Sequence, residues 1–172
     1  MLKALFVLVQ VVLVQVELFS LLKLKGIVMI EKVTKSEKET RAVGVEIGKS
    51  ISSPACIMLT GDLGAGKTVI SSGIIESVTG KKYTVTSPTF NLVQEYLGNI
   101  NAYHFDLYRM ESVDELENIG AYEYFYDNNA ISLVEWPERA IEIFDFLPCV
   151  YRLEITKIND TTRNIKFVKV KG

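Results

Sequence analysis

The sequence predicts an α/β fold in which helices cover both faces of a mixed, mostly parallel central β-sheet that also carries an antiparallel hairpin. Three observations predict this fold. After Met29, short apolar segments alternate with segments whose apolar residues recur at helical spacing. Residues 56–60 and 130–134 are almost uniformly apolar, which is typical of strands buried on both faces of a parallel sheet. Residues 61–66 form a glycine-rich turn that connects the first of these strands to a helix.

The first predicted elements are a helix, a strand and a second helix. Ser36 and Glu39 have the spacing of a capping box, and apolar residues at helical spacing follow them, which predicts a helix over 36–51. Residues 56–60 are the first buried strand. Residues 67–78 are the next predicted helix, directly after the glycine-rich turn.

An antiparallel hairpin is predicted after the second helix. Residues 90–96 and 102–108 have strand character and flank a turn centred on Gly98 and Asn99. Because this connection is short, the two strands are expected to pair with each other.

The second half of the chain begins with another helix. Ser112 and Glu115 form a second capping-box pattern, which predicts a helix through Ile119. The apolar residues 130–134 predict a second buried strand. A proline favours the first turn of a helix, so Pro137 predicts a helix over 137–144.

Two strands, 150–156 and 163–170, are predicted at the end of the chain because apolar and polar residues alternate on either side of a polar turn. The sequence has no internal repeat and no low-complexity linker. Its 172 residues are enough for one domain of ordinary size.

Composition and charge exclude several classes of function. Hydrophobic residues make up 48% of the chain and charged residues 23%, which excludes a disordered protein. The net charge of -2 excludes nucleic-acid binding through a global positive field, so any contact with RNA must be local or made through a partner. Cys56 and Cys149 lie apart in apolar segments and the chain has one histidine, so a zinc site is excluded and a reduced, cytoplasmic environment is expected.

Residues 1–28 differ from the rest of the chain because they are strongly apolar. The segment is long enough to span a membrane, but Gln10, Gln15 and Glu17 lie within it, and a carboxylate at mid-bilayer costs on the order of 3 kcal/mol. Three interpretations remain open: translation begins at Met29, the segment is a membrane-associating helix, or it is a signal peptide that lacks a recognisable cleavage site.

Residues 61–68 carry the strongest functional motif. They match the pattern G-x-x-x-x-G-K-[ST] between a predicted strand and a predicted helix. The glycines allow backbone N–H groups to converge on phosphate oxygens, Lys67 can reach the β- and γ-phosphates, and the Thr68 hydroxyl can bind Mg²⁺. The motif predicts a P-loop NTPase-like three-layer sandwich. The predicted phosphate-binding residues are Gly61, Asp62, Leu63, Gly64, Ala65, Gly66, Lys67, Thr68 and Val69.

Two acidic residues at predicted strand ends are candidates for the chemistry. Glu135 directly follows the strand 130–134, the position of an acid that holds Mg²⁺, and Asp106 lies in the second strand of the hairpin. Either acid could instead cap a helix or form a salt bridge. With Lys67 they are the predicted catalytic residues. Thr89, in the segment Ser87-Pro88-Thr89-Phe90, is a candidate contact to Mg²⁺ or the γ-phosphate, unless this segment is an ordinary proline turn.

Two further residues have more than one interpretation. His104, the only histidine, lies in an apolar strand and is expected to be structural because no second histidine or cysteine is placed to share a metal. Trp136 follows Glu135 and can either stack near a nucleotide or cover the edge of the core.

Four motifs together resemble one family. GDLGAGKT at 61–68, SPTFNLVQEY at 87–96, HFDLYR at 104–109 and VEWPER at 134–139 are similar in sequence, order and spacing to the TsaE (YjeE-type) family of bacterial ATPases. The resemblance covers residues 29–172, which we expect to form one P-loop ATPase domain.

The resemblance implies an ATPase that helps a threonylcarbamoyl transferase complex, with proteins of the TsaB and TsaD type, to modify adenosine beside the anticodon of tRNAs that read A-starting codons. Contact with tRNA would be indirect, through that complex. Val69 departs from the family, where a second threonine is usual, and the apolar extension is not part of the family pattern. Implied site residues are Thr68 and Glu135 for Mg²⁺, Asp106 and Thr89 as further functional positions, and Thr34, Thr40 and Arg163 beside the adenine.

The sequence shows no arginine finger, which predicts slow turnover by the chain alone and a partner that completes the site. ATP hydrolysis is then expected to reset the partner complex after modification. Two other functions are weighed against this one. A small-molecule kinase would normally carry an arginine-rich lid, whereas residues 110–130 are acidic and aromatic. A nucleotide-gated binding module would bind ATP and release no phosphate.

Overall fold

The computed structural model describes residues 28–88 and 91–172. The strands are β1 (Val28–Thr34), β2 (Ala55–Thr60), β3 (Val93–Tyr96), β4 (Asn101–Asp106), β5 (Ala130–Glu135), β6 (Val150–Lys157) and β7 (Arg163–Lys171). The α-helices are α1 (Glu37–Ser50), α2 (Lys67–Thr79), α3 (Asp114–Asn118) and α4 (Ala121–Phe125), and two 3-10 helices span Pro137–Arg139 and Ile141–Phe146.

The strands form one seven-stranded sheet in the order β1-β7-β6-β2-β5-β4-β3. Its four central strands, β6-β2-β5-β4, are parallel, whereas β1, β7 and β3 join by antiparallel pairing. The predicted α/β fold with a parallel centre is confirmed. Because β2 lies between β6 and β5, the loop that follows β2 emerges at the middle of the sheet.

Alternating side chains of the central strands build a core on each face of the sheet. Ile57 and Leu59 of β2 pack in one cluster with apolar residues of α1 and α2. Cys56 and Met58 point to the opposite face, where α3, α4 and the second 3-10 helix cover them. Ile57 and Leu59 are completely buried, and burial of each such side chain contributes about 1.5–3 kcal/mol. The predicted layers on both faces are therefore present.

Helix α1 begins where the sequence predicts. The Ser36 hydroxyl accepts a hydrogen bond from the Glu39 backbone N–H at 3.2 Å, and a Glu39 carboxylate oxygen accepts one from the Lys35 N–H at 2.8 Å. The first bond satisfies an N–H group of the first helical turn that has no intrahelical partner, and the second holds the residue that precedes the N-cap. The apolar face of α1 then packs across α2, where Gly44 and Gly73 allow the two backbones to approach closely.

The predicted hairpin is confirmed, with shorter strands than expected. Tyr96 of β3 pairs with Ala102 of β4 in antiparallel register. β4 ends at Asp106 instead of 108 because the Asp106 carboxylate accepts a hydrogen bond from the Tyr108 N–H at 3.1 Å, which turns the chain.

Strand β1 was not predicted. Ile30 is buried whereas Val33 is 57% exposed. Because these two apolar residues lie on opposite faces of the strand, the sequence lacks the alternation of apolar and polar residues that predicts a strand. The strand is held by antiparallel pairing with β7, at the other end of the chain. A local pattern cannot show such a long-range pairing.

The predicted helix over 137–144 is wrong in type. Two 3-10 helices occupy 137–146, separated by Ala140, whose φ of -149° and ψ of 46° are not helical and break the helical path. Helix α4 was also not predicted, and the helix expected to reach Ile119 spans only Asp114–Asn118.

The apolar segment 1–28 lies outside the described residues except for Val28, which begins β1. Its three interpretations stay predictions. In the part of the chain that the structure describes, no helix combines the length and apolar character needed to cross a membrane.

Candidate nucleotide site

A cleft of about 700 Å³ lies at the carboxyl ends of β2, β4 and β5. In a sheet with a parallel centre this edge is the usual position of a ligand site. Residues from six chain segments line the cleft: Lys35, Ser36, Glu37 and Thr40; Leu63, Gly64, Gly66, Lys67, Thr68 and Val69; Ser87; Asp106 and Tyr108; Glu135 and Trp136; and Asp160, Thr161 and Arg163.

Three glycines shape the loop between β2 and α2. Gly61, Gly64 and Gly66 have φ angles of 147°, 75° and 111°, a region that other residues rarely adopt. A Cβ atom on Gly61 would also lie 2.4 Å from the Ile155 carbonyl oxygen. The loop ends at Gly66, the N-cap of α2, so the first N–H groups of that helix face the cleft without intrahelical partners. A helix start of this kind favours a bound anion.

Lys67 brings a positive charge to the floor of the cleft. Its side chain is 6% exposed, and its ammonium donates hydrogen bonds to the carbonyl oxygens of Gly61 at 2.8 Å and Asp62 at 3.2 Å. The same nitrogen lies 3.8 Å from Glu135 Oε2 and 4.7 Å from the centre of the Trp136 ring. The loop, the acid and the indole therefore surround one buried cation.

Glu135 and Asp106 lie side by side because they are paired at the ends of the neighbouring parallel strands β5 and β4. Both carboxylates are buried, with exposures of 3% and 4%. Asp106 Oδ2 accepts a hydrogen bond from the Ser87 hydroxyl at 2.6 Å, and Oδ1 accepts the Tyr108 N–H. Glu135 Oε1 lies 2.9 Å from His104 Nε2. Two acids whose carboxylates are held by neighbouring groups thus line the cleft beside the glycine-rich loop.

The remaining residues of the glycine-rich loop have different surroundings. Thr68 and Val69 are half-buried and line the cleft, and Leu63 at its rim is 89% exposed. Ala65 is buried beneath the loop. Asp62 contributes its backbone carbonyl to Lys67, whereas its side chain lies on the exposed side of the loop.

A second wall is formed where β1, α1 and the β6–β7 turn meet. Thr40 lines the cleft, and Thr34 is buried behind it, with the two hydroxyl oxygens 2.8 Å apart. Arg163 also lines the cleft, where its Nη1 donates to carbonyl oxygens of its own turn, at Asn159, Asp160 and Thr162. Thr34 is therefore placed to support Thr40 and does not line the cleft itself.

Trp136 has a left-handed backbone conformation, with a φ of 58° that is costly for a residue with a side chain. Its indole lies over Lys67 and tilts against Tyr108 at 5.0 Å between ring centres. Trp136 lines the cleft and also packs against the core cluster beneath it, so it covers the edge of the core, and its stacking on a nucleotide stays a prediction. Strained backbone of this kind often occurs at functional sites.

Thr89 lies outside the described residues. Its predicted contact stays a prediction, although Ser87 from the same segment reaches Asp106.

Sequence reasoning missed several cleft residues. Tyr108 was within a quoted motif and was not singled out. Asp160 and Thr161 gave no sequence signal, because only the pairing of β6 with β7 brings their turn to the cleft. A hydrogen bond from the Lys157 ammonium lowers the pKa of the Asp160 carboxyl, so this rim residue carries a negative charge at neutral pH.

The oxygen atoms of the side chains at the cleft suit Mg²⁺, which needs few protein ligands, better than a metal ion that is bound by protein side chains alone. Within residues 28–88 and 91–172, no group of three or more His, Cys, Asp or Glu side chains is placed to hold a metal ion. Mg²⁺ is usually bound by one or two protein oxygens together with phosphate and water. The Glu135 carboxylate and the Thr68 hydroxyl, both at the cleft, fit that pattern.

This chain is similar in sequence to proteins of one family. The model of the family described as "Threonylcarbamoyl adenosine biosynthesis protein TsaE" matches residues 34–165. The tRNA threonylcarbamoyladenosine biosynthesis protein TsaE of Bacillus subtilis is 39% identical over 141 residues, which are 80% of this chain and 84% of that protein. The protein of the same name from Rickettsia conorii is 39% identical over 104 residues, 60% of this chain and 58% of the relative.

A solved structure extends the likeness to the fold. The crystal structure of Bacillus subtilis YdiB matches with a TM-score of 0.63 and 31% sequence identity, and the match covers 83% of this chain and 87% of that chain. The matching family model spans the glycine-rich loop, both buried acids and Trp136. The chain belongs to the TsaE family.

Proposed function

We propose that this chain is a Mg²⁺-dependent ATPase that takes part in threonylcarbamoyladenosine modification of adenosine beside the anticodon of tRNAs that read A-starting codons. It would act in the cytoplasm with threonylcarbamoyl transferase proteins of the TsaB and TsaD type, which would make the contact with tRNA. The observation that supports this most is the convergence of Lys67, Glu135 and Asp106 on one cleft at the start of α2.

The nucleotide would bind along the cleft. The first N–H groups of α2 and the Lys67 ammonium supply the positive potential that a triphosphate needs. Thr40, Arg163 and Trp136 lie on the walls where the nucleoside would rest. Lys67 already makes hydrogen bonds to two carbonyl oxygens, so its ammonium is fixed in the loop before any nucleotide is present. This arrangement reduces the entropy lost when phosphate binds.

Thr68 and Glu135 would hold Mg²⁺. When bound, the metal would neutralise negative charge on the phosphate oxygens. Asp106 would accept a hydrogen bond from the attacking water and orient it, since Ser87 and the Tyr108 N–H already fix its carboxylate at the cleft wall. Lys67 would stabilise the charge that develops on the transferred phosphoryl group.

The proposed hydrolysis is slow without a partner. Among the described residues that line the cleft, Arg163 is the one arginine. Its Nη1 donates hydrogen bonds to carbonyl oxygens of the β6–β7 turn, so this nitrogen is not directed to the phosphates. A partner would supply the missing charge or order, and hydrolysis would then reset the transferase complex after modification.

Phosphate release by the full chain, with and without TsaB- and TsaD-type proteins and tRNA, tests this function. We expect slow release from the chain alone, faster release with the partners, and loss of the stimulated rate in Glu135→Ala. Glu138→Ala is the matched control, because Glu138 is an exposed acid three residues further along the chain and does not line the nucleotide cleft. Equal rates under all conditions would contradict partner coupling, and binding without any release would favour a nucleotide-gated module.

A further inference from the structure

The single histidine makes a buried contact to a candidate metal ligand. His104 is completely buried in β4, and its Nε2 lies 2.9 Å from Glu135 Oε1. The sequence predicted a structural role for this residue. Its contact also connects it to the acid that the proposed function assigns to Mg²⁺.

The strand register produces this contact. β4 and β5 are parallel, with Asp106 paired to Glu135 and His104 paired to Leu133. Alternation along β4 places the side chains of Ala102, His104 and Asp106 on the face of the sheet that α1 and α2 cover. His104 is therefore two residues before the end of β4, and its imidazole lies on the same face as the Glu135 carboxylate and next to it.

The hydrogen-bonding groups of the ring identify its role. A carboxylate that binds Mg²⁺ is ionised and only accepts hydrogen bonds, so in the proposed complex Nε2 would carry the hydrogen and donate it to Glu135. His104 Nδ1 is buried and has no hydrogen-bond partner among the described residues. The contact to Glu135 is thus the hydrogen bond that compensates for burying this polar ring. An apolar side chain would fill the same space without that cost.

The contact also orients the carboxylate. With Oε1 held by His104, Glu135 Oε2 lies on the side of Lys67, at 3.8 Å from the ammonium. One oxygen is therefore fixed in the core while the other is directed to the cleft. Groups that hold a metal-binding side chain in this way typically change metal affinity about 10- to 100-fold when they are removed.

We propose that His104 is a positioning residue that holds Glu135 in the orientation needed to bind the Mg²⁺ of the nucleotide complex. This inference rests on the proposed function, because it assumes that Glu135 binds the metal.

The test measures how strongly Mg²⁺ promotes nucleotide binding. Calorimetry on the full chain gives the Kd of a non-hydrolysable ATP analogue with Mg²⁺ and with EDTA, and the ratio of the two values is the metal coupling. His104→Leu removes the donor, whereas His104→Gln keeps an N–H group close to the Nε2 position. Ser132→Ala is the control, because Ser132 is a buried polar residue of β5 whose side chain lies on the opposite face.

We expect His104→Leu to lower the metal coupling about 10-fold or more, with the affinity in EDTA little changed. His104→Gln and Ser132→Ala should retain most of the coupling. Glu135→Ala should lose it, and the double variant His104→Leu/Glu135→Ala should lose no more than Glu135→Ala alone, since both act through one group.

Wild-type coupling in His104→Leu, or equal losses of affinity with Mg²⁺ and with EDTA, would overturn the positioning role. Absence of coupling in the wild-type chain would overturn the proposed function and this inference with it. If His104→Leu does not fold, His104→Asn replaces it, because the shorter amide does not reach the Nε2 position. Equal coupling in His104→Asn and His104→Gln would then overturn the role.

Discussion

Replacement of Lys67 by alanine is expected to lower ATP turnover by at least about 100-fold, the effect typical of removing one donor that stabilises transition-state charge. Lys67 is 6% exposed and its ammonium is held by the carbonyl oxygens of Gly61 and Asp62 at the start of α2. Water cannot replace a buried, oriented cation with equal effect, because water must reorganise as the charge develops. Phosphate release in the presence of the partner proteins measures this loss.

Lys35→Ala is the matched control for this variant. Lys35 lines the same cleft but is exposed, so solvent screens its charge and its removal should cost no more than about 1 kcal/mol. If Lys67→Ala retains turnover within about tenfold of the wild type, which corresponds to about 1.4 kcal/mol, Lys67 does not carry the charge stabilisation assigned to it.

Gly73→Ala should destabilise the folded chain by at least about 2 kcal/mol, although alanine is a better helix former than glycine by about 1 kcal/mol. A Cβ atom at Gly73 would lie 2.1 Å from the Arg41 carbonyl oxygen and 2.9 Å from the Val45 nitrogen, both in the backbone of α1. Backbone atoms cannot rotate away as a side chain can, so the helices must separate. Because α2 begins at Lys67, the separation also strains the start of the nucleotide cleft.

Urea unfolding of Gly73→Ala beside Ser72→Ala measures this effect. Ser72 is the preceding residue of α2, is half-buried and donates a hydrogen bond to the Val69 carbonyl oxygen at 2.7 Å, so its replacement by alanine should change the unfolding free energy by about 1 kcal/mol or less. Equal stabilities for Gly73→Ala and the wild type would show that α1 and α2 can separate at no cost.

Much of the fold could be predicted from local patterns, because its central strands and two long helices have strong periodicity. The uniformly apolar residues 56–60 and 130–134 are neighbouring parallel strands, as that pattern predicts. Strand β1 could not be predicted, since its pairing with β7 joins opposite ends of the described chain. The 3-10 helices at 137–146 depend on the non-helical backbone of Ala140, which a helical pattern does not show.

Some features of the candidate site could likewise be predicted from local sequence, whereas others depend on how the strands pair. The glycine-rich loop is predictable because its glycines are required by local backbone conformation, as the φ of 111° at Gly66 shows. The approach of Asp106 to Glu135 follows once both are placed at strand ends. The contact of His104 with Glu135 depends on the register of β4 and β5, and the part of the cleft formed by Asp160 depends on the β6–β7 turn. Both features arise from contacts between segments that are distant in sequence, so local sequence patterns could not predict them.

The central claim is that a nucleotide triphosphate binds at the start of α2, and a crystal structure of the chain with a non-hydrolysable ATP analogue and Mg²⁺ tests it most directly. We predict that the phosphates contact the backbone N–H groups of residues 64–68 and the Lys67 ammonium, with Thr68 and Glu135 as metal ligands. A triphosphate bound elsewhere, or a glycine-rich loop that the chain's own side chains occupy in the presence of saturating analogue, would contradict the claim.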